Sequence, residues 1–506
     1  MGRSTLPVVT ALLGGMLLIA APPSWSQTTP KPSVAELQRE IDQLQRKLKA
    51  LQSLDEQVQS LDKKVQAEQQ QQQAQQQQVQ QEQAQQQEDV KKFSELPVIN
   101  VGTQGLAVTS PDKQYTLKIH GIIQADGQFY TNGDDKTAPG GVTSSTFILN
   151  RVRPIVDGTV FGSYDYHIEP DFGQGKTVLQ EGWLNAHPYQ EAQLMIGKFK
   201  SPFGIERLQQ DSNLLFIQRG LTTNLIPNRD IGVESHGDLL DRALTYQLAL
   251  LNGVPNNTAS VDTDTNDAKD FVGRLFALPF KDSGVQLAKG LGVGFSGSFG
   301  DERGTGALSK YLTSGQSTWF SYGNGVTAAG PRYRYSPQGY YYAGPFGLLA
   351  DYVDDTQRCV LDTPESYTTG KGKTKKTHKY TAEDYETFAN HAWQVQAGFL
   401  LTGEDEGYYG IKPARNFNPA EGGWGAWEMK ARVGSLGVDD DAFKDKFTST
   451  TTSAETATEY GGGLNWYLNQ NIKLDFEYLW TAFYKGATHG DRPGEGAFLT
   501  QAQIVF

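Results

Sequence analysis

Cysteine is all but missing: Cys359 stands alone among 506 residues. That excludes a disulfide framework and any multi-cysteine zinc or iron–sulfur site. Apolar side chains are scarce as well, 38% of the chain with a mean hydropathy of −0.50, and no long apolar run follows residue 21. A bundle of transmembrane helices is thereby excluded. Positive charge falls short, 45 Lys and Arg against 57 Asp and Glu, a poor balance for wrapping nucleic acid. Catalytic patterns are missing too. The seven histidines are scattered, without a His-Glu-x-x-His helix or metal-ligand spacing, and no Gly-x-Ser-x-Gly elbow occurs. Gly175-Lys176-Thr177 imitates the end of a phosphate-binding loop, but Pro170 stands where the first glycine is needed. Neither an enzyme nor a cofactor is expected. What is plentiful is Gly (55), Tyr (23) and Phe (24), the texture of a mostly β chain.

The N-terminus speaks for export. Arg3 precedes an apolar stretch from Leu6 to Ala21, then Pro22, Pro23 and a small-x-small site at Ser24-Trp25-Ser26. Residues 1–26 therefore read as a secretory signal peptide. Beyond it, Val34, Leu37, Ile41, Leu44, Leu48 and Leu51 recur at alternating spacings of three and four. That is the a/d seam of a coiled coil over 27–68, restarting at Leu54, Val58, Leu61 and Val65 after a stammer. Its core residues favour two strands over three by the packing rule. Residues 69–96 form a Gln-rich stretch that composition alone leaves open between a longer helix and a spacer.

From residue 97 onward, segments of about ten residues alternate in polarity between Gly-, Asp-, Asn- and Thr-rich connections. In the first, Leu117, Ile119, Ile123, Ala125 and Phe129 fall on one face and Lys118, His120, Gln124, Asp126 and Gln128 on the other. A soluble sheet would alternate in the same way. Connection lengths add more. Short ones near 157–163, 187–191, 237–242 and 468–471 interleave with long ones at 131–145, 201–228, 252–268, 300–327, 354–389 and 437–456. Short turns on one rim and long loops on the other define a bacterial outer-membrane barrel, and the connections divide 97–506 into 16 antiparallel strands. Gly403–Gly423 is long where a short turn is due. The last segment alternates through Phe498, Thr500, Ala502, Ile504 and Phe506, an aromatic-terminated strand like those read by outer-membrane assembly machinery.

Five segments carry a resemblance. They are Ile196–Gly204, Ile226–Gly232, Leu400–Glu404, Gly425–Glu428 with Ala431-Arg432, and Gly463–Leu468. Together, and in this order, they resemble the phosphate-selective porin O/P family over residues 110–506. The resemblance implies a trimeric outer-membrane barrel of a Gram-negative bacterium whose third extracellular loop, here 201–228, folds into the pore. It also implies passage of small anions, phosphate or polyphosphate by name, and an N-terminal coiled coil projecting into the periplasm, as in some relatives. A trimeric barrel would bring three helices into register, so the trimer is preferred to the dimer.

The candidate anion-binding residues are cations. Period two puts Arg151 and Arg153 on one face, and lipid-facing arginine is costly, so that face is the lumen. Ion pairing with Asp165, Glu169 or Asp171 is the structural alternative. Loop three offers Arg207, Arg219 and Arg229 with Lys200 at its root, beside Glu206, Asp211 and Asp230. Arg151, Arg153 and Arg219 lead the set, followed by Lys200 and Arg229; Arg332 and Arg334 are further lumen candidates. Lys371, Lys373, Lys375, Lys376, His378 and Lys379 crowd one long loop, where they could steer anions or bind lipopolysaccharide phosphates. Residues 94–506 nevertheless hold 35 basic and 47 acidic side chains, which speaks against strong phosphate selectivity. Two rival functions stand: a barrel anchor whose coiled coil tethers the outer membrane to peptidoglycan or a periplasmic protein, and a general or sugar porin using the aromatic residues.

Overall fold

The structure, a computed structural model, describes residues 33–131, 144–259, 267–369 and 376–506. The signal-peptide reading of 1–26 lies outside them, as do Lys371, Lys373 and Lys375. The chain divides into two units, residues 1–93 and 94–506. In the first, α1 (Val34–Ser94) is one helix of 61 residues, so the Gln-rich stretch continues the helix. Long unbranched Gln and Ala side chains lose little rotamer freedom in a helix, which explains the continuation. Leu37, Ile41, Leu44, Leu48 and Leu51 all stand exposed along it.

The second unit is a barrel of 16 strands: β1 (Thr116–Tyr130), β2 (Thr146–Val160), β3 (Tyr164–Asp171), β4 (Val178–Tyr189), β5 (Ala192–Lys200), β6 (Arg229–Leu239), β7 (Leu244–Leu251), β8 (Asp270–Ala277), β9 (Leu291–Ala307), β10 (Val326–Ala343), β11 (Phe346–Thr369), β12 (Lys376–Leu400), β13 (Ala426–Gly437), β14 (Thr456–Tyr467), β15 (Ile472–Tyr484) and β16 (Glu495–Val505). Each strand pairs antiparallel with the next, and β16 closes on β1 from Ala497↔Tyr130 to Val505↔Ile122. Phe506 completes the seam: its N–H donates to Gly121 O at 3.1 Å and its carbonyl accepts from Gly121 N at 2.8 Å. A hairpin, Val98–Gly102 with Gly105–Thr109, extends this seam by pairing with Thr116–Ile119.

Polarity is inverted relative to a soluble sheet, which resolves what alternation alone left open. Along β15, Lys473, Asp475 and Glu477 are 3%, 0% and 1% exposed, whereas Phe476, Tyr478 and Trp480 are 40%, 43% and 39% exposed. Charged groups face inward and aromatics face outward, as a lipid surround requires. No helix among the described residues is long and apolar enough to cross a membrane. A register shift between Gln124 and Ala125, opposite Arg151 and Leu149, marks a bulge at Asn150. It turns Asn150 and Arg151 inward together.

Two connections differ from expectation. Residues 354–389 are mostly ladder, because β11 and β12 stay paired from Phe346↔Phe399 to Thr369↔Lys376. Frequent Thr and Tyr, both good strand formers, favour the hairpin despite its polarity. Second, residues 308–325 fold back instead of standing as an outer loop. Tyr311–Leu312 and Thr318–Phe320 form a small ribbon that buries Trp319 and Phe320 against Phe203, Leu221, Leu225, Phe388 and Phe447. Trp319→Ala is expected to cost this plug about 3–5 kcal/mol. Limited proteolysis checks it: cleavage within 308–325 should appear while the barrel wall stays resistant.

Candidate functional site

Loop three (201–228) enters the lumen because its sequence is apolar at the right positions. Phe203, Ile205, Leu214, Phe216, Leu221, Leu225 and Ile226 are all buried. Gly204 makes the entry turn at φ +78, where a Cβ would meet Ile226 Cδ1 at 2.4 Å. The loop then crosses to the opposite wall. Lys473 Nζ donates to Leu214 O at 2.9 Å, Lys430 Nζ to Leu215 O at 3.0 Å, and Arg432 Nη1 to Gln218 O at 2.8 Å. Phe216 lies under both cations, 4.7 Å from Lys430 Nζ and 4.2 Å from Arg432 Cζ. The long turn after β12 packs against the loop as well: Tyr408 donates its hydroxyl to Ile205 O at 2.7 Å, and Gln209 Nε2 donates to Tyr408 O at 2.9 Å.

The five cations read from the sequence come together at the root of this loop, around Asp211, one of the three acids that lie beside the loop cations in sequence. Arg153 Nη1 lies 2.5 Å from Asp211 Oδ2, Arg219 Nη1 2.6 Å from Oδ1, Arg151 Nε 3.5 Å from Oδ2 and Arg229 Nη2 3.8 Å from Oδ2. Lys200 Nζ donates to Gln209 O at 2.9 Å beside them. Three further carboxylates flank the group: Glu169 and Asp171 on Arg153, at 2.9 and 2.6 Å, and Glu181 on Arg229 at 3.1 Å. The structural alternative for Arg153 thus holds in part, through Glu169 and Asp171 but not Asp165, which lies 3.1 Å from His187 Nε2.

An open cavity of about 680 Å³ adjoins the cluster on the short-turn side, lined by Arg153, Lys200, Arg229, Asp211, His167 and Trp183 among others. Arg151 and Arg219 are not among its lining residues. Arg207 ties the loop to the segment after β7 and to itself, bonding Asn257 Oδ1 at 2.6 Å and Thr223 O at 3.3 Å. Arg332 and Arg334 also face inward, but Arg334 holds the segment after β7, bonding Asn256 Oδ1 at 3.0 Å and Val254 O at 3.2 Å, and Arg332 lies 2.9 Å from Asp270 at the start of β8.

Sequence reasoning named Asp211 as an acid able to neutralise the loop arginines, but not as the common centre of four of them. It also missed Lys430 and Arg432 as loop-three partners, although they show the same period-two pair as Arg151 and Arg153.

The inward-folded loop in a closed sixteen-stranded barrel defines an outer-membrane porin, a channel and not an enzyme. Residues 118–506 match the family Phosphate-selective porin O and P, and the chain belongs to that family. Porin O of Pseudomonas aeruginosa is 23% identical over 431 residues, covering 79% of this chain and 91% of that protein. Among solved structures, the outer membrane channel DcaP of Acinetobacter baumannii is similar at a TM-score of 0.47 and 12% identity, over 78% of this chain and 97% of that one. An anion-selective porin from Comamonas acidovorans has a TM-score of 0.45 and 10% identity, over 78% of this chain and all (100%) of the other.

Burial pushes the Asp211 carboxyl up, but Arg151, Arg219, Arg153 and Lys200 hold it well below the ordinary carboxylate range. A folded value below the unfolded one stabilises the folded form above about pH 4, and this stabilisation fades as pH falls through the folded value. Protease protection of residues 201–228 should therefore hold from pH 7 to about 4 and fall only in stronger acid. Replacing Asp211 by Asn should remove that acid step.

Proposed function

We propose that this porin passes small oxyanions, phosphate-like in charge and shape, through the cluster at the root of loop three. The convergence of Arg151, Arg153, Arg219, Arg229 and Lys200 around Asp211 carries the reading. Guanidinium forks match oxyanion geometry, and Asp211 shows the kind of group they hold. Five cations face four carboxylates in the cluster itself, an excess confined to it, since the adjoining cavity adds Asp157, Asp165 and Glu234 against Lys118. Conduction needs weak, spaced attraction, and such an excess supplies it without a deep trap. The family's description supports phosphate as the anion.

The exposed seam of α1 supports a second, compatible reading. At 1.5 Å per residue the helix is about 90 Å long, and three copies would bury the seam in a periplasmic stalk for a homotrimer. Removing residues 27–93 separates the roles: a tether predicts envelope defects with conductance intact.

A bilayer recording in a KCl gradient tests the pore. The wild type should show an anion-selective reversal potential, and inorganic phosphate should reduce the chloride current. Removing one charge at close range changes the interaction by about 1 kcal/mol in water, roughly fivefold in permeability ratio. Arg153→Gln should shift selectivity towards cations by about that factor, and Asp211→Asn towards anions. A cation-selective wild type would sink the proposal.

A further inference from the structure

A second cluster, centred on His167, faces the same cavity and shares Glu169 and Glu181 with the arginine cluster. His167 Nδ1 lies 2.5 Å from Asp157 Oδ1, and its Nε2 lies 3.4 Å from Glu169 Oε2. Trp183 stacks on the imidazole at 5.0 Å and 4°, fixing the plane of the ring. Asp157 spends its other oxygen on His120 Nε2, at 2.5 Å. Glu181 stands close by, and the ligand atoms of His167, Glu169 and Glu181 all lie within 4.8 Å of one another. These residues come from three neighbouring strand segments, β2 for Asp157, β3 for His167 and Glu169, and β4 for Glu181. No spacing along the sequence announces the group.

A histidine gripped by a carboxylate at one nitrogen, with the other turned towards acidic oxygens, is the arrangement that orients metal-bound imidazole. Each glutamate spends one oxygen on the constriction, Glu169 Oε1 on Arg153 and Glu181 Oε1 on Arg229. Glu169 Oε2 is turned to His167 instead. We propose that His167 Nε2, Glu169 and Glu181 form a binding site for a divalent transition ion of the zinc class, entered from the short-turn side of the cavity.

The chemistry fits. Imidazole and carboxylates suit zinc-like ions, and three protein ligands leave a position for water. Two carboxylates balance the charge of the ion. Donors about 2.0–2.2 Å from a tetrahedral metal stand about 3.3–3.5 Å apart, so these side chains need to close by about 1 Å. A bound ion would share both glutamates with Arg153 and Arg229, weaken those pairs and add positive charge at the constriction. That consequence rests on the anion-passage reading; the site itself does not. Without metal, a protonated His167 would occupy the same place as an ion-pair partner of Asp157 and Glu169.

The test uses the full chain, purified in detergent and stripped with chelator, then titrated with Co²⁺ by visible absorption and with Zn²⁺ by calorimetry. One ion per chain is expected. His167→Ala and Glu181→Gln should each weaken binding at least tenfold, and Asp157→Asn about 10- to 100-fold. His236→Ala, at a lumen histidine that contacts Asn185, should leave binding unchanged. Retained heat resistance of the barrel would show that the variants are folded. Absence of a saturable cobalt band, or a band that survives His167→Ala, overturns the site. In a bilayer, Zn²⁺ on the short-turn side should move the reversal potential towards anions. Binding without that shift overturns the coupling to the constriction and leaves the metal site standing. A cation-selective wild type would instead defeat the anion reading while the cobalt titration still decides the site.

Discussion

A backbone inside a hydrocarbon layer has no water to bond, so every strand must find a neighbour on both sides. The pairing of β16 with β1 meets that demand, and the rest of the molecule depends on it. Closure sends alternate side chains to lipid and to lumen, and the lumen must then satisfy whatever polar groups it receives. The result is a dense inner network, with Gln124, Asp126, Gln501 and Gln503 bonded to one another or to neighbours just inside the closing seam.

Loop three is held by that same network. Its backbone carbonyls take hydrogen bonds from Lys430, Arg432 and Lys473 on the far wall. Its Asp211 ties Arg151, Arg153 and Arg229 of the near wall to its own Arg219. The cations proposed to attract anions thus also hold loop three in place. Breaking a buried pair by removing one partner leaves an uncompensated charge, typically at a cost of about 3–5 kcal/mol. The residues proposed to set selectivity are therefore also ones on which the stability of the loop depends.

The architecture was largely legible. Period-two polarity, short and long connections in alternation and the aromatic final strand all point to sixteen strands, and Arg151 with Arg153 could be placed inward because lipid-facing arginine is costly. The long turn after β12 stood out by length alone, and its role became clear only through Tyr408 and Gln209, which bind it to loop three. The plug at 308–325 was missed because Trp319 and Phe320 look like membrane-girdle aromatics until their neighbours are known. The His167 group was missed for a related reason: its ligands come from adjacent strands whose register the sequence does not state.

By itself the sequence determined the class, the strand count and which face of a strand sends its charges inward, since alternation and the lipid cost of charge act locally along each strand. Only the tertiary structure decided which charges meet. Asp211 gathers its arginines from β2, the start of β6 and loop three, and His167 meets Glu181 across a strand pair. Such encounters are set by register and by the path of an inward loop, and both follow from closing the barrel as a whole.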